Sequence, residues 1–284
     1  MLTVILPVRN EEPIIAATIE RLLTFLHATL HEPWRVIVAD NASTDRTRDV
    51  VRDAIVHDGT HLALLELDRP GKGHAVMSAW RKAASETTTA CHCEPNPRGV
   101  AIPVISVQGE SRVHCMAGIA TSRTPRNDKQ GSFAEVPQNI FLFLDADLAT
   151  DLRHIPELIA AVRSGADIAA ASRYLPGSQT HRSTFRHIIS RANALLLRLR
   201  FGLRMTDAPC GAKAVNARVV RDIVPLIRDD QWFFDTELCI RAQRAGFRIV
   251  EIPIAWHEPR EGVAIAKVLR IIVRNCRTIL RSPL

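Results

Sequence analysis

Hydrophobic residues along the chain occur in short runs that alternate with segments of helical periodicity. Apolar runs predict strands at Thr3–Val8, Arg35–Ala39 and His61–Leu67, and a helical pattern covers Ile14–Leu30 between the first two strands. Strands that alternate with helices imply right-handed crossovers and a mainly parallel sheet. The pattern therefore predicts an α/β fold.

A fourth apolar run leads directly into two carboxylates. Phe141–Leu144 is apolar throughout and is followed by Asp145 and Asp147, which is typical of a strand buried on both faces. We expect the two aspartates to project from one face at the end of this strand, where open α/β sheets bind ligands. A hard divalent cation held there would complete its shell with substrate phosphates. The alternative is an aspartate that only caps the next helix.

A glycine-flanked lysine follows the third predicted strand. Gly71-Lys72-Gly73 precedes a helical pattern that runs to about Ser85, and a lysine at a helix N-terminus is a suitable diphosphate contact. The segment matches neither the Walker A loop nor the dinucleotide fingerprint, so an ordinary strand-to-helix turn is the alternative. Further apolar runs predict strands at Asp167–Ser172 and Arg248–Trp256.

Residues 86–138 differ in composition from the rest of the chain. They are rich in Thr, Ser, Pro, Gly and Asn, with one short strand pattern at Val100–Val107, and we predict a mobile inserted loop. Potential zinc ligands occur there, but their spacing is not the usual Cys-x-x-Cys pair, which favours unliganded thiols. These residues are Cys91, His92, Cys93, His114 and Cys115.

Composition narrows the class of protein. The chain has 284 residues, of which 46% are hydrophobic, enough for one large domain or a domain with an insertion. No apolar run approaches the roughly 18–20 residues that cross a bilayer, and a signal-peptide pattern is missing. We therefore expect a cytoplasmic location. Because the six cysteines are irregularly spaced, we expect reduced thiols.

Positive charge is concentrated in two segments. The net charge is +7, and the segments Arg182–Arg204 and Lys267 onward alternate basic with apolar residues. Both predict basic amphipathic helices, which either lie on an anionic membrane surface or pack on the core with a solvated basic face. Nucleic acid is a disfavoured partner because aromatic residues make up only 5% of the chain.

Short motifs occur along nearly the whole chain, apart from the insertion. They are Val4–Glu12, Val36–Asp45, Gly71–Gly73, Asp145–Thr150, Ala171–Arg173, Asp207–Lys213 and Trp232–Leu238. In this order they resemble inverting family 2 glycosyltransferases of the GT-A fold, and within them the dolichyl-phosphate and polyprenyl-phosphate sugar synthases, most closely the dolichyl-phosphate β-glucosyltransferase branch.

This resemblance implies one Rossmann-like GT-A domain over residues 1–284, with helices on both faces of a mainly parallel central sheet. Residues 1–85 would form the nucleotide-binding half, and residues 139–284 the metal and acceptor half with a C-terminal basic amphipathic helix. The implied reaction is the metal-dependent transfer of a hexose, with UDP-glucose as the favoured donor, to polyprenyl phosphate with inversion. GDP-mannose as donor, a soluble acceptor, or a non-catalytic nucleotide-binding module are the alternatives.

The resemblance also implies residue roles. Metal binding by Asp145 and Asp147, with Mg²⁺ or Mn²⁺, would neutralise the donor diphosphate. The implied nucleotide site comprises Pro7, Arg9, Asn10, Glu11, Asp40, Lys72, Asp145 and Ala146, the implied acceptor site Arg173, Arg186 and Ser190, and the implied catalytic residues Asp207, Asp235 and Glu237. Asp207 is expected to orient more than to deprotonate, because a phosphate monoester is already largely ionised at neutral pH.

Two departures from the family pattern concern the nucleotide site. Arg9 replaces the usual aromatic residue, and Asn41 and Ala42 stand where Asp and Gly are common. The transmembrane helices of many relatives are missing from this sequence, so a lipid acceptor would be reached from the inner membrane surface by a peripheral enzyme. The oligomeric state and the pathway stay open.

Overall fold

The computed structural model describes residues 1–89, 139–181 and 184–257, with side chains for 1–86, 139–180 and 189–257. Several sequence predictions lie outside these residues. They are the strand at 100–107, the cysteines and histidines of the insertion, the tail from Lys267, and the side chain of Arg186.

Nine strands and seven α-helices make up the described fold. The strands are β1 (Leu2–Val8), β2 (Trp34–Asn41), β3 (Leu62–Leu67), β4 (Ile140–Leu144), β5 (Ile168–Ser172), β6 (Gln179–His181), β7 (Ala212–Asn216), β8 (Ile249–Pro253) and β9 (Ala255–His257). The helices are α1 (Ile15–Thr29), α2 (Thr47–His57), α3 (Lys72–Thr89), α4 (Ile155–Arg163), α5 (Thr184–Phe201), α6 (Ala217–Asp222) and α7 (Phe234–Arg244).

Seven of the strands form a central sheet in the order β3-β2-β1-β4-β7-β5-β8. Only β7 runs antiparallel to its neighbours, so the expectation of a mainly parallel sheet is confirmed. Strands β6 and β9 form a separate parallel pair. The carboxyl ends of β1, β2, β3, β4 and β5 consequently lie at one edge of the central sheet, and the antiparallel β7 begins at that same edge.

The core lies on both faces of the sheet because alternate strand residues point in opposite directions. Along β1, Val4 and Leu6 pack with α1 and α4, while Ile5 packs with α3 and α7 on the other face. All residues of β4 are buried, as expected for a strand covered on both faces. Helices on both faces are therefore confirmed.

Two predictions about individual strands need correction. The single strand expected at Arg248–Trp256 is two strands in different sheets. β8 stops at Pro253, since proline lacks the N–H needed to continue a ladder. Strand β7 was missed, because the segment Asp207–Lys213 was interpreted as a motif and not as the approach to a strand.

The basic segment predicted at Arg182–Arg204 contains α5. Its Leu197 and Phe201 are buried against Ile240 of α7 and Ala170 of β5, whereas Leu195 and Leu199 are 56% and 76% exposed. In the described part of the chain, no helix has the length and apolar content needed to cross a membrane.

Candidate active site

Two loops interlock at the carboxyl edge of the sheet. The loop after β1 and the loop after β2 are joined by hydrogen bonds: Asn10 N donates to Ser43 Oγ (3.0 Å), and Thr44 N donates to Asn10 Oδ1 (2.8 Å). Glu11 N donates to Thr47 Oγ1 at 2.9 Å. Asn10 adopts φ 54°, a left-handed conformation that asparagine tolerates. These contacts fix the ends of β1 and β2 as one unit.

Asp40 is fully buried near the end of β2. Its Oδ2 accepts hydrogen bonds from Ser43 N (3.2 Å) and Arg48 Nε (2.5 Å). Its Oδ1 is buried and has no hydrogen-bond partner among the described residues. A buried acceptor without a partner is costly, so this oxygen stands out as an unused acceptor near the end of β2.

The glycine-flanked lysine starts α3 and is tied to both halves of the chain. Asn41 Oδ1 accepts a hydrogen bond from Gly71 N at 2.6 Å. Gly73 N donates to the carbonyl of Gln231 at 2.9 Å, and a Cβ at Gly73 would collide with Phe234. Glycine at this position therefore permits the close approach of α3 to the start of α7.

Asp145 and Asp147 lie in a turn beyond β4, with Leu148 N donating to Asp145 O at 3.0 Å. The expectation that strand alternation sets their direction is wrong, because β4 ends at Leu144 and the turn orients them instead. Leu148 has φ 47°, a strained value for leucine. Asp147 Oδ1 accepts from Ala149 N at 3.2 Å.

Four alternating charges meet beside this turn. Lys72 Nζ lies 2.6 Å from Asp145 Oδ1, and Lys213 Nζ lies 3.7 Å from Asp235 Oδ2. Burial alone would lower the pKa of Lys72, but Asp145 and Asp235 outweigh it and raise this pKa above its ordinary value. Burial raises the pKa of Asp235, and the two lysines only partly oppose that shift. Lys72 therefore stays charged at neutral pH.

Gly211 makes room for the Asp145 carboxylate. Its carbonyl accepts a hydrogen bond from Asp145 N at 3.0 Å, and a Cβ at this position would overlap the carboxylate of Asp145. Because β7 is antiparallel, the segment before it reaches the carboxyl edge of the sheet. Two carboxylates on a turn at that edge are oxygen ligands of the type that Mg²⁺ and Mn²⁺ bind.

A buried arginine-carboxylate pair follows β5. Arg173 donates to Asp207 through Nε (2.7 Å), Nη2 (2.8 Å) and its backbone N (3.0 Å). Asp207 is itself fixed, since its N–H donates to Glu251 Oε1 at 3.0 Å. The guanidinium also lies 5.5 Å from the ring centre of Trp256. Although burial opposes it, Asp207 raises the pKa of Arg173, so the guanidinium stays charged.

Glu237 faces the loop before α7. Its Oε1 accepts hydrogen bonds from Arg228 N (3.0 Å) and Arg241 Nε (2.6 Å), and its Oε2 accepts from Asp229 N (2.8 Å). The side chain is 3% exposed. These contacts hold residues 228–229 against α7.

The structure thus brings the candidate residues into two groups at one edge of the sheet. Lys72, Asp145 and Asp235 form one, and Arg173 with Asp207 forms the other. The segment 207–213 joins the two groups. Nucleotide candidates at the ends of β1 and β2 are in neighbouring strands, with Pro7 opposite Ala39 and Val8 opposite Asp40. Arg9 is exposed.

The remaining acceptor candidates lie on α5. Ser190 is half-buried there, one helical turn after Arg186. Ala146 is buried, and its carbonyl accepts a hydrogen bond from Thr18 Oγ1 at 2.8 Å.

Sequence reasoning missed two residues of the site. Lys213 is fully buried and donates to the Cys210 carbonyl at 2.5 Å; it lies within a quoted motif but was given no role. Trp232 is 59% exposed, and its ring centre is 5.2 Å from Lys72 Nζ. A tryptophan between the acidic residues Asp230 and Asp235, just before the start of a helix, was the available signal.

Comparison with known families gives a match in the N-terminal part of the chain. Residues 3–92 match the family described as Glycosyl transferase family 2. The similarity to glycosyl transferase family 2 lies in this segment of the chain. The expectation from the motifs is confirmed at this level.

Two relatives differ in how much of the chain they match. Glycosyltransferase AglD of Haloferax volcanii is 30% identical over 99% of this chain, which covers 36% of that relative. Dolichyl-phosphate beta-glucosyltransferase of Saccharomyces cerevisiae is 33% identical over 46% of this chain and 43% of its own length. The chain thus spans less than half the length of these two relatives.

A solved structure supports the fold of the chain. Glucosyl-3-phosphoglycerate synthase from Mycobacterium tuberculosis was crystallised with Mn²⁺, UDP and glucosyl-3-phosphoglycerate. The structural alignment covers 99% of this chain and 78% of the synthase chain, at a TM-score of 0.58 and 17% sequence identity. The predicted GT-A type of α/β fold is confirmed by this similarity.

Proposed function

We propose that this chain transfers a hexose from a nucleotide sugar to a polyprenyl phosphate with inversion, with UDP-glucose as the favoured donor. The observation that carries the proposal is the meeting of Lys72 and Asp145 at the carboxyl edge of the sheet, 2.6 Å apart. A buried cation and an adjacent carboxylate pair suit a diphosphate that arrives with a divalent metal ion.

The donor base is assigned to Asp40. Uracil carries an imide N–H, and the unpartnered Oδ1 of Asp40 is a buried acceptor for it. A carboxylate oxygen receives this proton donor well, whereas the ring nitrogen of cytosine at the same position carries no hydrogen. Asp40 therefore favours uridine nucleotides, in keeping with the UDP donor.

Asp145 and Asp147 are assigned to Mg²⁺ or Mn²⁺. The space that Gly211 leaves for the Asp145 carboxylate and the all-oxygen ligand set fit either ion. When bound, such an ion stabilises the charge that develops on the departing nucleoside diphosphate. Lys72 would then turn from Asp145 to a phosphate oxygen, so that the ion pair of the free protein is exchanged for contacts with the donor.

The acceptor phosphate is assigned to Arg173, together with Arg186 and Ser190 of α5. Asp207 accepts hydrogen bonds from Nε and Nη2 on one edge of the Arg173 guanidinium. This contact fixes the orientation of the guanidinium, and its other edge is suited to a phosphate. We assign Asp207 to positioning, because its two oxygens are engaged by Arg173. Glu237 is likewise assigned to positioning, since it holds residues 228–229.

Asp235 is the remaining candidate for proton transfer. Burial raises its pKa, which makes it a better proton acceptor than an ordinary aspartate. A phosphate monoester with a second pKa near 6 is largely dianionic at pH 7, so the reaction needs little help from a base. We therefore assign to Asp235 mainly the electrostatic stabilisation of the charged side chains of Lys72 and Lys213.

An anionic membrane surface is the proposed site of action. Arg191, Leu195, Arg198 and Leu199 recur at helical spacing on the exposed side of α5, while its Leu197 and Phe201 pack on the core. An outward stripe of arginine and leucine suits a surface of acidic headgroups and acyl chains. A peripheral, cytoplasmic-side location follows as part of the proposal.

The substrate assay uses labelled UDP-glucose, UDP-N-acetylglucosamine and GDP-mannose, each offered with polyprenyl phosphate and followed by organic extraction. The proposal expects label in the organic phase with UDP-glucose above the other donors. Transfer only from GDP-mannose would replace the donor assignment. Transfer only to a water-soluble phosphate would replace the acceptor, and nucleotide binding without any transfer would support a non-catalytic module.

Metal dependence is tested at Asp147. Asp147→Asn should lower turnover by at least 100-fold, or about 2.7 kcal/mol in the barrier, because a metal ligand is lost from a half-buried turn while the core is untouched. Glu157→Gln, an exposed carboxylate on α4, is the matched control and should keep wild-type turnover. Full activity of Asp147→Asn in EDTA would show that no metal acts there.

A further inference from the structure

A second group of metal-ligand side chains lies at the opposite edge of the sheet from the donor site. His27 is in the last turn of α1, Asp58 closes α2, and His61 immediately precedes β3. Trp34 begins β2 at the same edge. Since parallel strands share their direction, this amino edge is separated by the length of the strands from the turn that holds Asp145.

The two imidazoles approach one carboxylate from different sides. His27 Nε2 lies 3.4 Å from Asp58 Oδ2, and His61 Nδ1 lies 3.4 Å from Asp58 Oδ1. One potential ligand atom from each residue can be chosen so that all three lie within 4.8 Å of one another. In tetrahedral zinc sites, metal-ligand bonds of about 2.0–2.2 Å place neighbouring ligand atoms roughly 3.3–3.6 Å apart. A small contraction of the group would therefore enclose an ion.

An aromatic contact holds both histidine rings. The indole of Trp34 stacks on the His61 ring at a centroid distance of 4.3 Å, and the His27 ring meets it edge-on at 4.8 Å. Trp34 is 7% exposed, so it is a fixed platform. The orientation of metal-binding histidines normally depends on such outer contacts, and here the platform already points two ring nitrogens toward Asp58.

The backbone of the group is also fixed. Asp58 N donates to the carbonyl of Ala54 at 3.1 Å, and the carbonyl of His61 accepts from Val36 N at 2.7 Å. The ligands would thus come from three elements that are already ordered. Less ordering entropy is then lost on metal binding than in a flexible loop.

We propose that His27, Asp58 and His61 bind one zinc-class divalent ion, which clips the ends of α1 and α2 to the start of β3. Two imidazoles with one carboxylate suit Zn²⁺, whereas Mg²⁺ prefers oxygen ligands alone. His27 and His61 side chains are 50% and 31% exposed, so water can complete the coordination shell. The site is structural, is independent of the donor metal, and does not rest on the proposed transferase activity.

The binding experiment measures zinc by calorimetry on the full chain after chelator treatment, in an Asp147→Asn background that weakens the donor metal site. His27→Phe and His61→Phe each remove one ligand but keep a ring against Trp34. His57→Phe, on the exposed last turn of α2, is the matched control. Because even loss of an outer-shell contact costs about 10–100-fold in metal affinity, loss of a ligand should weaken zinc binding at this site by at least that much.

Stoichiometry and thermal stability separate this site from any other zinc ligands of the chain. The parent and His57→Phe should bind one zinc ion more than His27→Phe and His61→Phe, and zinc should raise Tm more in the first two proteins. Zinc added in the presence of excess Mg²⁺ should give the same stoichiometries and Tm shifts. Equal stoichiometry and equal Tm shifts in all four proteins would overturn the proposal and leave the group as His-Asp ion pairs on an aromatic platform.

Discussion

At the scale of single residues, our proposal assigns recognition of the nucleotide base to Asp40. Its Oδ2 is engaged by Arg48 and Ser43, whereas its buried Oδ1 has no partner among the described residues. The two oxygens of one side chain thus have different tasks. The first fixes the carboxylate, and on the proposed function the second would accept a hydrogen bond from the base.

Asp40→Asn should weaken UDP binding by about 10–100-fold, equivalent to about 1–3 kcal/mol for a buried unmatched polar group. The amide nitrogen cannot accept the imide N–H, but it can donate to cytosine, so the preference for UDP over CDP should narrow or reverse. Calorimetry with both nucleotides measures this effect. Asp49→Asn, on the exposed side of α2, is the control. An unchanged UDP/CDP ratio in folded Asp40→Asn would remove the base assignment.

Backbone strain accompanies the same loop. Ala42 has φ 56°, a left-handed conformation that costs an L-residue roughly 1–2 kcal/mol. Ala42→Gly should therefore raise the free energy of unfolding by up to about 1 kcal/mol, after the larger chain entropy of glycine is subtracted. Urea denaturation measures the change. Ala17 is exposed in α1, and Ala17→Gly should instead lower the free energy of unfolding by about 1 kcal/mol. An equal decrease in both variants would contradict the strain argument.

Most candidate residues were foreseeable at this scale, but their pairings were not. The motif order pointed to Asp145, Asp207 and Lys72, because short motifs keep the chemistry of a site. The sequence contained no indication that Asp207 clamps Arg173, or that Lys213 would be buried beside Asp235. Those contacts depend on which strands become neighbours, and that information is not local.

At the scale of elements, the strands with clear periodicity were predicted within one or two residues, whereas α3 extends to Thr89, beyond its predicted end near Ser85. The exceptions have physical causes. β7 follows a motif rich in polar residues, so its short apolar pattern was not recognised. β8 and β9 are contiguous in sequence apart from Ile254, yet they pair with different strands. Pairing partners, and not periodicity, separate them.

The turn before α4 offers an element-scale prediction about pH. Asp151 accepts hydrogen bonds from the Arg153 side chain and backbone N–H, and chiefly the side-chain bond lowers its pKa from 3.8 to about 2. The folded state therefore favours the charged form, so its stabilising effect is complete above pH 3.8 and is lost as pH falls toward 2. Because Arg153 is 77% exposed, the effect is below about 1 kcal/mol.

Asp151→Asn keeps a side-chain acceptor for the turn but removes the charge. Its unfolding free energy should fall below wild type at pH 7, and the two proteins should converge as the pH approaches 2. Urea denaturation at pH 7, 4 and 3 tests this. A constant difference over the whole range would mean that packing, and not ionisation, causes the loss.

At the scale of the whole molecule, the candidate site and α5 are connected through the core. The inner side of α5 packs near Ala208, next to Asp207, while its outer side exposes Leu195 and Leu199. One helix therefore packs beside the segment that holds Asp207 and also presents apolar side chains to solvent. This arrangement would let a lipid phosphate enter beside Arg173 while its chain stays in the membrane.

Membrane association by this stripe is the last prediction. The double variant Leu195→Gln, Leu199→Gln should reduce flotation with anionic liposomes, because buried leucines contribute about 1.5–3 kcal/mol each when fully covered. Arg191→Glu should reduce it further at low salt, since each basic residue near an anionic surface contributes about 1 kcal/mol. Salt should weaken wild-type binding as the Debye length shrinks.

The control for this prediction is Leu226→Gln, because Leu226 is 51% exposed on another part of the surface. Equal flotation of all variants on neutral and anionic liposomes, with transfer to a water-soluble acceptor undiminished, would favour a soluble acceptor over a lipid.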